Sequence, residues 1–332
     1  LKPDDPAVRY VHALWNPISS LAMHALRRLR RPYVLRPTGM LDPVVFRTRP
    51  RLKGLWGWWL DRANVERAAL LHFTAQDEQQ RAAASGWSLP SATVAPNPLD
   101  LSFWAGGPVE PSTLSERSQP IEASQPTAPT ALTLQATDGT HPLLPPTVLF
   151  VGRINWVKNL PLLIEAWPTV RAAYPTAQLE LVGPDTEGLG SKLDAQAEAL
   201  GVRSSVTRFE PEDRVALRDR LRRASVSVLV SQKENFGMSA AEALAAGVSL
   251  VLSDGVGLKS VLPKDPSWRA VPQSPEAIAT AIIELIRRRQ TLAPPPQPDP
   301  AAQALARRAL GPAALSPLID ALRSLAPESR QQ

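Results

Sequence analysis

A chain of 332 residues, 44% of them hydrophobic, holds enough apolar material for two ordinary globular domains and is not a disordered polypeptide. Cysteine is absent, which excludes disulfides, thiol catalysis and thiolate metal sites, and four scattered histidines give no metal-ligand spacing. The net charge of +6 suits an anionic partner, whether nucleic acid, an acidic membrane surface or a phosphorylated substrate, and does not choose among them.

Apolar runs stay well short of the roughly 18 residues that span a bilayer, and residues 1–5 lack the basic-then-apolar layout of a signal peptide, so the cytoplasm is the expected location. In chain order, strands are expected over 8–14, 33–36, 70–74 and 93–95, with helices over 18–30, 52–68 and 77–85. Residues 107–146 are rich in Pro, Ser, Thr and Gln and lack apolar periodicity, which reads as a disordered insertion or linker. Beyond it, strands over 148–151, 179–182, 206–209, 226–230 and 250–252 alternate with helices over 160–173, 191–200, 213–224 and 238–246. Strand, helix, strand at this spacing gives βαβ units around a parallel sheet, and the near-continuous apolar strands fit a sheet covered on both faces. A second Pro-rich break over 294–300 precedes a helix over 302–325, interrupted at Gly311 and Pro312. The expected domains are 1–106, the linker 107–146, a second α/β domain over 147–291, and the break with its helix over 292–332.

Two segments carry chemistry. In the first, the strand over 148–151 ends at Gly152, and Arg153 and Lys158 follow before a helix begins near Pro161. Ligands of open parallel sheets bind at the carboxyl ends of strands, where helix N-termini attract anions, so these two cations are placed for phosphate oxygens. In the second, the strand ending at Val230 leads to Glu234, Asn235, Phe236 and Gly237, then to a helix with Met238 at its start and Glu242 one turn in. Gly237 allows close backbone approach, and the N–H groups from Gly237 to Ser239 form another anion cradle. Glu242 suits a pair of ribose hydroxyls, and Glu234 a hexose. Each segment also has a plainer reading, as solvated loop cations or as glutamates that favour a helix dipole.

Taken together, the segments resemble retaining glycosyltransferases of family 4. Gly152, Arg153 and Lys158 match the family's Gly-Arg-x4-Lys element, and Glu234 and Glu242 its Glu-x7-Glu element. The runs starting at Val182, Ala243 and Ser253 also read like family text. The resemblance implies an α/β chain of GT-B fold, two Rossmann-like domains facing a cleft. It implies that Arg153 and Lys158 neutralise the donor diphosphate, that Glu242 holds the ribose, and that Glu234 with Asn235, Phe236 and Gly237 positions the transferred sugar, with Gly152 and Met238 also among the donor-binding residues. No Asp-x-Asp pair occurs, so neither metal nor cofactor is expected beyond the nucleotide-sugar donor.

The N-terminal portion resembles the family at Val11–Pro17, Tyr33–Pro43 and Ala95–Pro98, but nothing matches the family's opening strand and Gly-Gly loop, so this domain reads as truncated. Thr38 stands where the family carries a histidine able to take part in proton transfer. His12 remains as a further catalytic candidate, with a satisfied strand-end residue as the other reading. Arg27, Arg28, Arg30 and Arg31 follow an apolar stripe of Ile18, Leu21, Ala22, Ala25, Leu26 and Leu29, and Arg47, Arg49, Arg51 and Lys53 precede Trp56, Trp58 and Trp59. Such patches suit an anionic membrane surface on the cytoplasmic side, or else a core-facing helix with a solvated basic end.

The expected function is transfer of a hexose from a nucleotide-diphosphate sugar to a carbohydrate or lipid-linked acceptor, with retention, in surface polysaccharide or glycolipid synthesis. A non-catalytic remnant that binds nucleotide sugar or a partner is the alternative. Nucleic acid as partner has only the charge in its favour, because no recognition-helix or aromatic-interleaved basic motif is present.

Overall fold

Strands alternating with helices build two separate parallel sheets in the computed structural model, which describes residues 8–47, 60–106, 145–292 and 298–325. The chain divides into two units, Leu1–Pro98 with Arg308–Gln332, and Leu99–Arg307.

The first unit carries β1 (Arg9–His12), α1 (Pro17–Arg28), β2 (Tyr33–Arg36), α2 (Pro43–Arg47), α3 (Arg62–Glu66), β3 (Leu70–Phe73), α4 (Gln76–Ala83) and β4 (Ala92–Val94). Its sheet runs β1-β2-β3-β4, all parallel. Strand β1 stops at His12 rather than continuing to residue 14, because Ala13 and Trp15 take positive φ angles of 69° and 57°. The buried Asp61 carboxylate accepts the Trp15 N–H at 3.0 Å and holds that loop. Asn16 accepts the Ile18 N–H at 3.0 Å and caps α1, with Pro17 opening it. Met23, Leu26, Tyr33, Leu35, Val65, Leu71 and Phe73 form the core. The stripe on α1 divides: Leu26 turns inward, whereas Ile18 is 80% exposed, Leu21 56% and Leu29 60%. The expected helix over 52–68 is seen at its end as α3, its earlier part lying outside the described residues.

The second unit opens with α5 (Leu101–Ala105) and continues with β5 (Thr147–Val151), α6 (Leu160–Ala173), β6 (Gln178–Val182), α7 (Gly190–Ala199), β7 (Val206–Phe209), α8 (Arg214–Arg223), β8 (Val226–Leu229), α9 (Met238–Ala245), β9 (Ser249–Ser253), β10 (Trp268–Val271) and α10 (Pro275–Gln290). Its strands order as β10-β9-β8-β5-β6-β7, all parallel, with the direction of winding reversing between β5 and β8. That is the dinucleotide-fold order, whose ligands sit outside the carboxyl ends of the two strands at the reversal. Every residue of β8 and β9 is buried, as covered inner strands require, while the edge strands β7 and β10 are only partly so. Helix α5 packs on α9, and Arg214 lies 4.4 Å over the Phe103 ring, so residues 101–105, expected in the first domain, belong to the second unit.

Strand β10 and helix α10 extend the second sheet beyond the strands expected from periodicity. Ser274 caps α10 through the Ala277 N–H, and Arg287, Arg288 and Arg289 close it against the helix dipole. The chain then runs through α11 (Pro300–Leu310) to α12 (Ser316–Leu325), two helices separated by a break at Gly311 and Pro312, and α12 packs on β4 in the first unit. Most of the Pro-rich linker, 107–144, lies outside the described residues, as do 293–297.

Candidate functional site

The two chemistry-bearing segments leave neighbouring strands at the reversal point of the second unit. Gly152 ends β5 with φ 153°, and its N–H bonds the Val182 carbonyl at 2.9 Å. Gly183, at φ 140°, lies so close that a Cβ there would sit 2.2 Å from the Gly152 carbonyl oxygen, so only glycine permits this approach of two loops. Asn155 turns the next residues by accepting the Lys158 N–H at 3.2 Å, and Asn159 takes a left-handed φ of 55° before α6 begins. This brings Lys158 back to the strand end while Arg153 points outward. Arg153 is exposed and has no side-chain hydrogen bond or ion pair among the described residues.

From β8, the backbone of Glu234 bridges to the loop that follows β9: its N–H donates to the Gly255 carbonyl at 2.8 Å, and the Gly257 N–H donates to its carbonyl at 3.0 Å. With the backbone fixed, the Glu234 carboxylate receives the Lys158 ammonium in a mostly enclosed ion pair. Glu234 thereby orients Lys158, a partnership that the sequence did not signal. Phe236 is buried and anchors the loop. Gly237 has φ 102°, and its missing side chain leaves room for Val256 and Leu229. Helix α9 starts directly after it without a side-chain cap, which sets its N-terminus, the positive end of the helix dipole, in the loop that follows β8.

Glu242 is one turn into α9 and half-buried. Burial pushes its carboxyl above the usual carboxylate range, opposed by the charge of Arg214. Arg214 begins α8, where Asp213 caps the helix through the N–H groups of Val215 and Ala216 at 2.9 Å each. It is a functional candidate missed from sequence, although a cation directly after the β7 loop is the same signal that marked Arg153.

His12 belongs to the first unit, at the exposed carboxyl end of β1. Partial enclosure of its ring and then the Arg36 charge hold it below the usual histidine range. Thr38 has φ 53° and Gly39 φ 76°, a tight turn after β2 closed by the Met40 N–H on the Pro37 carbonyl at 3.2 Å. Among the described residues no group of three or more acidic or histidine side chains is placed to hold a metal ion, and no helix is long and apolar enough to cross a membrane. In the basic patches, Arg27 turns in to the Asn64 side chain at 2.8 Å, whereas Arg28 and Arg30 are exposed. Arg49, Arg51, Lys53, Trp56, Trp58 and Trp59 lie outside the described residues.

Comparison with known proteins bears on this geometry. Residues 137–296 match the model of the family described as Glycosyl transferases group 1. A D-inositol 3-phosphate glycosyltransferase of Catenulispora acidiphila is 33% identical over 154 residues, covering 43% of this chain and 36% of that protein. A glycogen synthase of Mycobacterium tuberculosis is 33% identical over 144 residues, covering 43% and 34%. The chain thus spans about a third of the length of these curated relatives. Among solved structures, Anabaena HepE in complex with UDP and glucose superposes with a TM-score of 0.69 at 18% identity, over 95% of this chain and 77% of that one. Sucrose-phosphate synthase of Thermosynechococcus elongatus gives 0.69 at 19%, over 96% and 73%. The chain has a GT-B fold, and its residues 137–296, which hold the Lys158–Glu234 pair, are similar to the Glycosyl transferases group 1 family.

Proposed function

We propose that the protein is a retaining glycosyltransferase resembling family 4, moving a hexose from a nucleotide-diphosphate sugar to a carbohydrate or lipid-linked acceptor in surface polysaccharide or glycolipid synthesis. The observation that carries this reading is the convergence, at the strand reversal of the second unit, of a Gly-Arg-x4-Lys loop and a Glu-x7-Glu segment joined by an ion pair. Lys158 and Arg153 take the donor diphosphate and the charge that grows on it as the glycosidic bond breaks. Groups of this kind are worth about 3–4 kcal/mol each when preorganised away from water. Glu242 accepts hydrogen bonds from the ribose hydroxyls, and the turn from Glu234 to Met238 lines the sugar. The diphosphate is held by cations and helix N–H groups, without a metal. The solved structure of HepE, a fold relative, is a complex with UDP and glucose, which agrees with a nucleotide-sugar donor.

The outward apolar stripe of α1, ending at Arg28 and Arg30, supports a resting place on an anionic membrane, with apolar side chains entering the headgroup region and cations meeting lipid charge.

Calorimetric titration with UDP, GDP and ADP, run beside a turnover assay with the matching sugars, tests the enzymatic reading. One diphosphate binds, and both binding and transfer fall at least tenfold in Arg153→Ala and Glu242→Ala. Binding without turnover for any acceptor class would instead favour a remnant that only holds nucleotide sugar.

A further inference from the structure

Strand register in the first unit assembles a polar row that the donor chemistry does not use. Pairing of β1 with β2 sets His12 opposite Arg36. Leu35 is opposite Leu71, so one residue on, His72 lies level with Arg36. In a parallel sheet, residues at one level share a face, and Tyr10, two residues before His12, shares it too. The Tyr10 ring is centred 4.8 Å from that of His12 and 5.9 Å from that of His72.

The partners of these groups separate structure from opportunity. His72 is buried, and its Nε2 lies 2.8 Å from the Ala95 carbonyl, an acceptor, so Nε2 carries the proton. Nδ1 then accepts the Tyr10 hydroxyl, which leaves a neutral, satisfied ring. Burial pushes the Tyr10 hydroxyl up to about 12, which keeps it protonated for this bond. Glu78 is the acid whose charge reaches Tyr10, and its oxygens already accept the Thr74 N–H at 2.8 Å, the Thr74 hydroxyl at 2.9 Å and the Gly39 N–H at 2.6 Å. Arg36 is different. One guanidinium nitrogen bonds the Asn97 side chain, Nε is enclosed without a hydrogen-bond partner, and no carboxylate pairs with it among the described residues. A half-buried cation with no counter-ion is costly in a folded protein, and a bound oxyanion offsets that cost. The exposed imidazole beside it adds a second hydrogen-bond donor.

We propose that Arg36 and His12 form an oxyanion subsite in the first unit, taking a phosphate or carboxylate group carried by the sugar acceptor. Asn97 orients the guanidinium, whose planar fork matches either anion in two parallel hydrogen bonds, and the Tyr10–His72 pair supports the row from beneath. That the anion belongs to an acceptor rests on the transferase reading; the anion site itself does not.

The test follows the histidine ring resonances by NMR while the full chain is titrated with inorganic phosphate and, separately, with glucuronate. The His12 signals move with saturation, and the stronger of the two probes identifies phosphate or carboxylate as the ligand. In calorimetric titrations with phosphate and with UDP, Arg36→Gln and His12→Gln each weaken phosphate binding at least fivefold while UDP affinity stays within twofold. Arg153→Gln gives the reverse pattern. Should Arg36→Gln fail to fold, His12→Gln and Arg36→Lys read the same effect. Phosphate binding unchanged in the variants that fold, or phosphate displaced by UDP, overturns the subsite. A chain that binds phosphate at Arg36 but no nucleotide diphosphate keeps the subsite and removes the transferase reading instead.

Discussion

Lys158 and Glu234 stand 76 residues apart in sequence and form an ion pair across the reversal between β5 and β8. The ammonium side chain is only 14% exposed, in contrast to the open Arg153. An enclosed cation is screened less by water than an exposed one, so the two do not contribute equally. Lys158→Ala is expected to lower kcat by about 10²–10³, the range for losing a preorganised charge-stabilising group, and Arg153→Ala by about tenfold less. Steady-state kinetics on both variants checks the order. Glu234→Gln loosens Lys158, so the double variant costs less than the two single effects combined, by about 1–3 kcal/mol in a double-mutant cycle.

Burial raises the Glu242 carboxyl above its ordinary value of 4.5, which ties stability to pH. A folded-state value above the unfolded one means the favourable contribution is complete below the unfolded value and is lost as pH rises through the raised one. Above that window the native state carries a poorly solvated charge. Glu242→Gln is therefore expected to melt higher than the parent at pH 7.5, with the gap closing as pH falls toward 4.5, while nucleotide affinity drops. Thermal melts across pH beside a UDP titration measure both; a gap that widens on acidification would contradict the burial argument.

Gly183→Ala forces a Cβ to within 2.2 Å of the Gly152 carbonyl oxygen. Overpacking of this kind costs about 1–3 kcal/mol, and the displaced strand end carries Arg153 and Lys158, so melting temperature and donor affinity fall together. Gly188→Ala, with φ 67° but nothing within 4 Å of the added carbon, is the comparison: its stability loss is smaller and donor affinity is kept.

Thr38 holds φ 53°, a left-handed conformation that is unfavourable for a β-branched residue. Thr38→Gly is expected to stabilise the chain by about 1 kcal/mol, read from chemical denaturation. A loss of stability would mean that the Thr38 side chain makes compensating contacts.

Ile18 and Leu21 project from α1 into solvent. Replacing both with serine leaves the melting temperature within a degree or two, since surface changes are usually within about 0.5 kcal/mol, but lowers co-sedimentation with phosphatidylserine vesicles severalfold. Vesicle binding unaffected by the substitutions would rule out α1 as the contact.

The two chemistry-bearing segments were legible because parallel strands announce their ends. A fully apolar run stops, a glycine follows, and Arg153, Lys158, Glu234 and Glu242 stand where the next helix starts. Arg36 and His72 gave no such signal, since each is an isolated polar residue in a short strand and gains meaning only when register sets it beside His12. Strand β10 escaped notice because Arg269 breaks its apolar run, as an edge strand allows. Helix α10 did carry readable marks in the Ser274 cap and the helical spacing of Ile278, Ile282, Leu285 and Ile286. The apolar stripe of α1 had the right residues, but periodicity could not say whether Ile18 or Leu26 would turn inward.

The division of the chain orders its biogenesis. Residues 99–307 are continuous, so the second unit has all its parts once that stretch has left the ribosome. The first unit is interrupted: β4 waits for α12, made more than two hundred residues later. During synthesis, the half that begins first is the half that finishes last.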